Sequence, residues 1–140
     1  MKKLLLLILL LTPFLAPAAD WQQLSDRQKT HIMWQALALH ESDDNDWAVG
    51  THNEVGAFQI RPREWRSMTG WPIYLATNRP FALYVSQKLM QQRVSHYVDQ
   101  FGHLPTLFEW YVLYNAPAQL GHPSADVTAR AKHFVTLCLN

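Results

Sequence analysis

The sequence predicts a mainly α-helical protein that forms one compact domain. Two capping boxes, at Ser25 and Thr106, mark helix starts, because a serine or threonine side chain there accepts a hydrogen bond from a free helix amide. Apolar residues recur at helical spacing behind both boxes. The chain shows no internal repeat, low-complexity segment or interdomain linker, so a single domain is expected.

The first predicted helix runs from Asp26 to about Glu41. Ser25 and Gln28 form its capping box, and Ile32, Met33, Ala36, Leu37 and His40 give it one apolar face. Glu41 is therefore placed at the C-terminal end of an apolar helix.

A polar loop follows, from Ser42 to Thr51. Its aspartates, Asp43, Asp44 and Asp46, lack the glycine and glutamate positions of an EF-hand, so a solvated acidic loop is expected rather than a calcium site. Gly56 then opens a short segment that carries Phe58, Gln59 and Ile60 inward.

Four further helices are predicted from caps, prolines and apolar spacing. They cover Pro62–Thr69, about Asn78 to Gln100 with Asn78 as the cap, Pro80 in the first turn and Gly102 as the terminator, Thr106 to a stop at Pro117, and Ser124–Leu137.

The N-terminus predicts export. Lys2 and Lys3, an apolar run and small residues before Asp20 are typical of a signal peptide over residues 1–19, which leaves a domain at 20–140. The alternative is an uncleaved anchor, but the unbroken run Leu4–Leu11 is short against the roughly 20 residues that span a bilayer. A periplasmic or secreted location is expected.

Charge and cysteine content exclude some classes of function. Removal of Lys2 and Lys3 leaves ten basic residues against eleven acidic ones, a net charge of about −1, so no general electrostatic affinity for nucleic acid is expected. Cys138 is the only cysteine and reads as a packing residue. No HExxH pair occurs, so neither a metal nor another cofactor is predicted.

Glu41 is the strongest candidate for chemistry. A carboxyl group set against apolar walls keeps its proton to higher pH than a solvated one, so it can donate that proton to a leaving group near neutrality. Such a group is suited to glycosidic bond cleavage.

Two motifs resemble those of soluble-type lytic transglycosylases, within the lysozyme superfamily. The first combines Glu41-Ser42, Ala48, Gly56-Ala57-Phe58-Gln59, Ile60 and Pro62, and the second is Tyr114-Asn115-Ala116-Pro117. The chain departs from the family pattern at Asn53-Glu54, at Pro117, where the family has glycine, and at Val127, where it has tyrosine.

The resemblance implies a single-domain, lysozyme-like fold with a substrate cleft and an enzyme that acts on peptidoglycan glycan strands. Glu41 would be the catalytic acid and then the base at the MurNAc-β-1,4-GlcNAc bond, leaving 1,6-anhydro ends. By resemblance Ser42, Gln59, Tyr114 and Asn115 would bind substrate or orient Glu41. A monomer is expected, and wall recycling, secretion or conjugation machinery, and phage entry are all compatible settings.

Several alternatives stay open at this point. A hydrolytic lysozyme would use a second carboxylate, for which Asp43, Asp44, Asp46 and Glu54 are candidates. A glycan-binding module would keep the groove without turnover, and a partner-binding protein would have no glycan role. Ser42 and Asn115 could be helix caps, Gln59 could satisfy a buried backbone group, and Tyr114 could belong to the core. Trp47 and Trp71, in loops near the first motif, are candidates for stacking on sugar rings.

Overall fold

The computed structural model describes residues 20–140, and this part of the chain is mainly α-helical. Its helices are α1 (Asp26–Ser42), α2 (Pro62–Met68), α3 (Arg79–Phe101), α4 (Leu107–Asn115) and α5 (Ala125–Leu139). Short 3-10 helices lie at Trp21–Gln23, Ile73–Thr77 and Pro117–Gln119. The predicted signal peptide at residues 1–19 lies outside the described residues.

Both predicted capping boxes are confirmed. The Ser25 hydroxyl accepts from Gln28 N–H at the start of α1, and the Thr106 hydroxyl accepts from Glu109 N–H at the start of α4. In each box the third residue of the helix returns a bond to the cap backbone, which satisfies two otherwise free amides.

The long helix α3 begins and ends where it was predicted, but the Asn78 side chain makes no capping hydrogen bond. That part of the prediction is wrong, and the helix start instead has Pro80 in its first turn, where the missing N–H costs no hydrogen bond. Gly102 ends the helix with φ +76°, a conformation that glycine adopts without steric cost.

Aromatic side chains dominate the core. Trp34 of α1 packs edge-on against Phe58 and Trp110, with ring centroids 5.6 and 5.3 Å apart. Trp110 in turn stacks on Phe134 of α5 at 5.5 Å. Because α4 packs against both α3 and α5, its residues 110–114 are all buried. Tyr111 contacts Glu41 at the end of α1, and Tyr114 lies against Trp34 of the same helix.

Residues 43–61 form an irregular loop that folds back over the end of α1. Val55 pairs with Ile60 through two backbone hydrogen bonds, and Phe58 and Ile60 are buried as predicted. Gly56 has φ +79°, and a Cβ there would collide with the Ala76 carbonyl of the 3-10 helix at Ile73–Thr77. Only glycine therefore fits this close approach of two backbones.

The last helix, α5, closes the domain. Val127, Ala131, Phe134 and Cys138 form its buried face. The position of Cys138 confirms the predicted packing role, and burial raises the pKa of its thiol to about 12. No helix within residues 20–140 combines the length and apolar character needed to cross a membrane.

Candidate active site

Glu41 lies in the last turn of α1 with only 6% of its side chain exposed. Its Oε1 accepts a 2.6 Å hydrogen bond from the Tyr111 hydroxyl. Arg130 Nη2 lies 3.0 Å from Oε2 and 3.2 Å from Oε1, so one guanidinium nitrogen contacts both carboxylate oxygens. Three helices, α1, α4 and α5, therefore converge on one carboxyl group.

Opposing effects set the pKa of Glu41. Burial raises the pKa above its ordinary value, because the charged form loses hydration, and the negative charge of Glu54 acts in the same direction. The hydrogen bond from Tyr111 and the charge of Arg130 oppose this by stabilising the carboxylate. Burial is the larger effect, so the pKa of Glu41 stays raised.

Glu41 faces an open pocket of about 280 Å³, named here the Glu41 pocket. Its lining is mostly polar and consists of Glu41, residues 50–52, Glu54, Gln59, Arg61, Glu64, Tyr114, Asn115 and Arg130. The pocket thus places the candidate acid beside two further carboxylates, two guanidinium groups and two side-chain amides, a lining rich in hydrogen-bonding groups.

Gln59 and Tyr114, both predicted from the sequence, line this pocket. Gln59 adopts φ +47°, and its amide nitrogen donates to the Gly56 carbonyl at 3.0 Å, which fixes the side chain across the loop. The Tyr114 hydroxyl donates to the Phe58 carbonyl at 2.6 Å. Both side chains therefore brace the loop as well as lining the pocket.

Asn115 also lines the pocket, whereas Ser42 is not among the lining residues. Asn115 is the last residue of α4, and its carbonyl lies 3.5 Å from Arg61 Nη2. The Ser42 hydroxyl lies within hydrogen-bond distance of the Ala38 and Ala57 carbonyls and accepts from Asn45 N–H. This geometry fits the helix-cap alternative for Ser42.

The four candidate second carboxylates are separated by the fold. Arg79, in the first turn of α3, binds Asp44 at 2.5 Å and Asp46 at 2.8 Å, so the acidic loop is tied to a helix rather than only solvated. Asp43 ends α1 with φ 52°. Only Glu54 of the four lines the Glu41 pocket.

Glu54 is held in a definite orientation. Its Oε2 accepts from His52 N–H at 2.9 Å, and Oε1 lies 3.9 Å from Arg61 Nε, with 14% of the side chain exposed. Burial alone would raise the pKa of Glu54, but hydrogen bonds from the backbone N–H groups of Glu54 and His52, with the charges of His52 and Arg61, lower it below its ordinary value. The pocket therefore contains one carboxyl group with a raised pKa and one with a lowered pKa.

The two loop tryptophans lie elsewhere. Trp47 is 76% exposed and Trp71 is 40% exposed, and neither is among the residues lining the pocket. Trp71 packs against Phe81 and Tyr84 of α3. Within residues 20–140, no group of three His, Cys, Asp or Glu side chains is arranged to hold a metal ion.

Sequence reasoning missed Arg130 and the contact of Tyr111 with Glu41. A signal existed for Arg130, because it follows Val127 by three residues and precedes Phe134 by four, which puts a charge beside the buried face of α5. A charged residue beside a buried face is expected to pair with an opposite charge. The sequence could not predict that this partner is Glu41, since Glu41 is 89 positions away.

Arg93 is a second arginine that stabilises the site, through contacts with the end of α4 and with Glu64. It donates to the carbonyls of Leu113 and Tyr114 at 3.0 and 2.7 Å, and to Glu64 Oε1 at 2.5 Å. These bonds satisfy carbonyls at the end of α4 and connect that end to α2, which carries Glu64. The tyrosine and asparagine of the second motif are positioned by this link.

The arrangement can perform acid–base chemistry at one buried carboxyl group beside a polar groove.

Comparison of the chain with protein families, curated proteins and solved structures found no match.

Proposed function

We propose that the protein is a peptidoglycan lytic transglycosylase with a lysozyme-like fold, in which the Glu41 pocket is the substrate cleft. One observation carries the proposal: the Glu41 carboxyl group is almost fully buried, yet it faces a pocket lined by Gln59 and Tyr114. These three residues come from the two motifs that resemble the family. A buried carboxyl group at a polar groove is the arrangement that general acid catalysis requires.

In the proposed reaction protonated Glu41 gives its proton to the oxygen that joins MurNAc C1 to GlcNAc. The C1–O bond breaks and the GlcNAc part leaves as an alcohol. The Glu41 carboxylate then takes the proton from the MurNAc 6-hydroxyl, whose oxygen bonds to C1. The product is a 1,6-anhydro ring, Glu41 is protonated again, and no water is consumed.

The balance of effects on Glu41 supports both halves of this cycle. Burial favours the protonated acid of the first step, and Tyr111 and Arg130 stabilise the carboxylate of the second. A catalytic group that acts as acid and then as base works best with a pKa near the working pH. Burial raises the pKa of Glu41, and the two donors limit that rise.

A second candidate is a hydrolytic lysozyme, and the position of Glu54 favours it. Two-carboxylate glycosidases pair a group of raised pKa with one that stays ionised, and Glu41 and Glu54 differ in this way in one pocket. Glu54 would then activate a water molecule or stabilise the cationic sugar. The transglycosylase remains our proposal because the sugar's own hydroxyl group needs no second carboxylate.

The test is digestion of purified sacculi by the processed protein, residues 20–140, with mass spectrometry of the released fragments. Anhydro-ended fragments that disappear in Glu41→Gln support the proposal, and Asp99→Asn, an exposed carboxylate on α3, is the matched control. Reducing-end fragments that depend on both Glu41 and Glu54 would indicate the lysozyme. Saturable binding without any cleavage would indicate a glycan-binding module.

A further inference from the structure

A series of hydrogen-bonded side chains extends from Glu41 away from the pocket, and these side chains have no role in the proposed reaction as described so far. His40 Nε2 is 3.0 Å from the Tyr111 hydroxyl oxygen, and His40 Nδ1 is 2.8 Å from His133 Nδ1. With the Tyr111–Glu41 bond, these contacts connect the carboxyl group to His133, which is exposed on α5.

The order of donors in this series follows from the chemistry of each group. In the ionised state of Glu41, which its ion pair with Arg130 stabilises, the carboxylate oxygens can only accept, so the Tyr111 hydroxyl donates to Glu41. The Tyr111 oxygen then has only lone pairs left, and His40 Nε2 must carry the hydrogen between them.

The protonation of His40 fixes the next link. Burial, with the charges of Arg130 and His133, lowers the pKa of His40 to about 4, so near neutrality the ring carries a single N–H. With that hydrogen on Nε2, Nδ1 is a bare acceptor, and His133 Nδ1 must carry the hydrogen that bridges the two rings. Every donor in the series thus points toward Glu41.

We propose that His40 is a positioning residue for Glu41. It donates to the Tyr111 hydroxyl oxygen and so keeps the tyrosine O–H directed at the Glu41 carboxylate, while His133 fixes the His40 tautomer. Its importance for catalysis rests on the proposed function. The hydrogen-bonded series itself does not, because it is complete in the free protein.

Other charged or titratable groups lie close to Glu41 and stay unchanged in the test. Arg130 of α5 contacts both oxygens, Glu54 of the loop raises the pKa of Glu41, and Tyr114 of α4 lies close enough to be affected by its charge. A substitution at His40 leaves all three in place. The His40 ring also packs edge-on against the Tyr111 ring, with centroids 5.0 Å apart, so the replacement must preserve shape.

The first experiment reads the tautomer directly. Nitrogen-15 NMR of the histidine side chains distinguishes a protonated ring nitrogen from a bare one, and we expect His40 to be Nε2–H with bare Nδ1. In His133→Phe, which removes the outer donor, His40 is expected to become a mixture of tautomers. A wild-type His40 found as Nδ1–H would overturn the proposal.

The second experiment is a double-mutant cycle read on Glu41. Carbon-13 labelling of the side-chain carboxyl carbons gives four glutamate signals, and the one that is lost in Glu41→Gln is Glu41. His40→Phe keeps the ring but removes its donor, so the Tyr111–Glu41 bond weakens and the pKa of Glu41 rises. His40→Gln restores a donor and should return the titration toward wild type.

The decisive comparison measures the effect of His40→Phe on the pKa of Glu41 in the Tyr111→Phe background. If His40 acts through the hydroxyl group, His40→Phe shifts nothing further in that background. An equal shift in both backgrounds, or no shift in either, would show that His40 is only a packing residue. Because no glycan is present, this outcome is independent of whether the protein proves to be a transglycosylase.

Discussion

Tyr111 and Glu41 are joined by a 2.6 Å hydrogen bond although they lie 70 positions apart in the chain. Tyr111 is fully buried on α4, and its ring is held between His40 and Phe134. Its hydroxyl group therefore has little freedom to turn away from the carboxylate. This rigid donor offsets part of the effect of burial on the pKa of Glu41.

Tyr111→Phe should raise the pKa of Glu41, because the carboxylate loses a donor and the burial remains. A general acid is active while it is protonated, so the alkaline limb of the pH–activity profile should move to higher pH. Turnover against pH on sacculi measures this. A limb that stays in place or moves to lower pH would contradict the role given to Tyr111.

Arg130→Met should move the same limb in the same direction by a different route. Methionine keeps an apolar stem of similar length but removes the positive charge that stabilises the Glu41 carboxylate. Lys132→Met, an exposed position on the same helix, is the control and should leave the profile unchanged. Equal shifts in both variants would indicate a change in net charge rather than a specific pair.

Gly56→Ala should destabilise the protein by several kcal/mol, because φ is +79° and the new Cβ would overlap the Ala76 carbonyl. Gly102→Ala is the matched control. It has nearly the same φ, +76°, with no atom within 4 Å of the added carbon, so only about 1 kcal/mol of backbone strain is expected. Urea unfolding of both variants measures the difference. Similar losses would mean that the contact with Ala76 is not a real constraint.

The stability of the wild-type protein should depend on pH through His40. Burial lowers the pKa of His40 from 6.5 to about 4, so between these values the unfolded chain binds more protons than the folded one. The contribution of neutral His40 to the free energy of unfolding is therefore fully present above pH 6.5 and is lost as the pH falls toward about 4. In His40→Gln this part of the loss should vanish, whereas exposed His31→Gln should retain it. Urea unfolding at several pH values measures the two slopes.

The helices were predictable because their signals are local. Ser25 and Thr106 start helices through side chains that reach only three residues ahead, and Gly102 ends one through its own backbone angle. Glu41 and Gln59 could likewise be selected from a short motif.

The surroundings of Glu41 were not predictable, because the contacts join distant parts of the chain. Arg130 reaches Glu41 across 89 positions, and Arg79 reaches Asp44 across 35. Composition and helical spacing indicate which side chains are buried, but the choice of partner depends on how helices pack. The candidate acid could therefore be selected from the sequence, whereas the groups that adjust its pKa required the structure.

The most direct test of the account is digestion of sacculi in water enriched in heavy oxygen. Glu41-dependent cleavage should release anhydro-ended fragments that carry no label, because the ring is closed by the sugar's own 6-hydroxyl oxygen. Labelled reducing ends that disappear in Glu41→Gln would show that water is the nucleophile and contradict the transglycosylase. Fragment release that is the same in wild type and Glu41→Gln would contradict the central role of Glu41 itself.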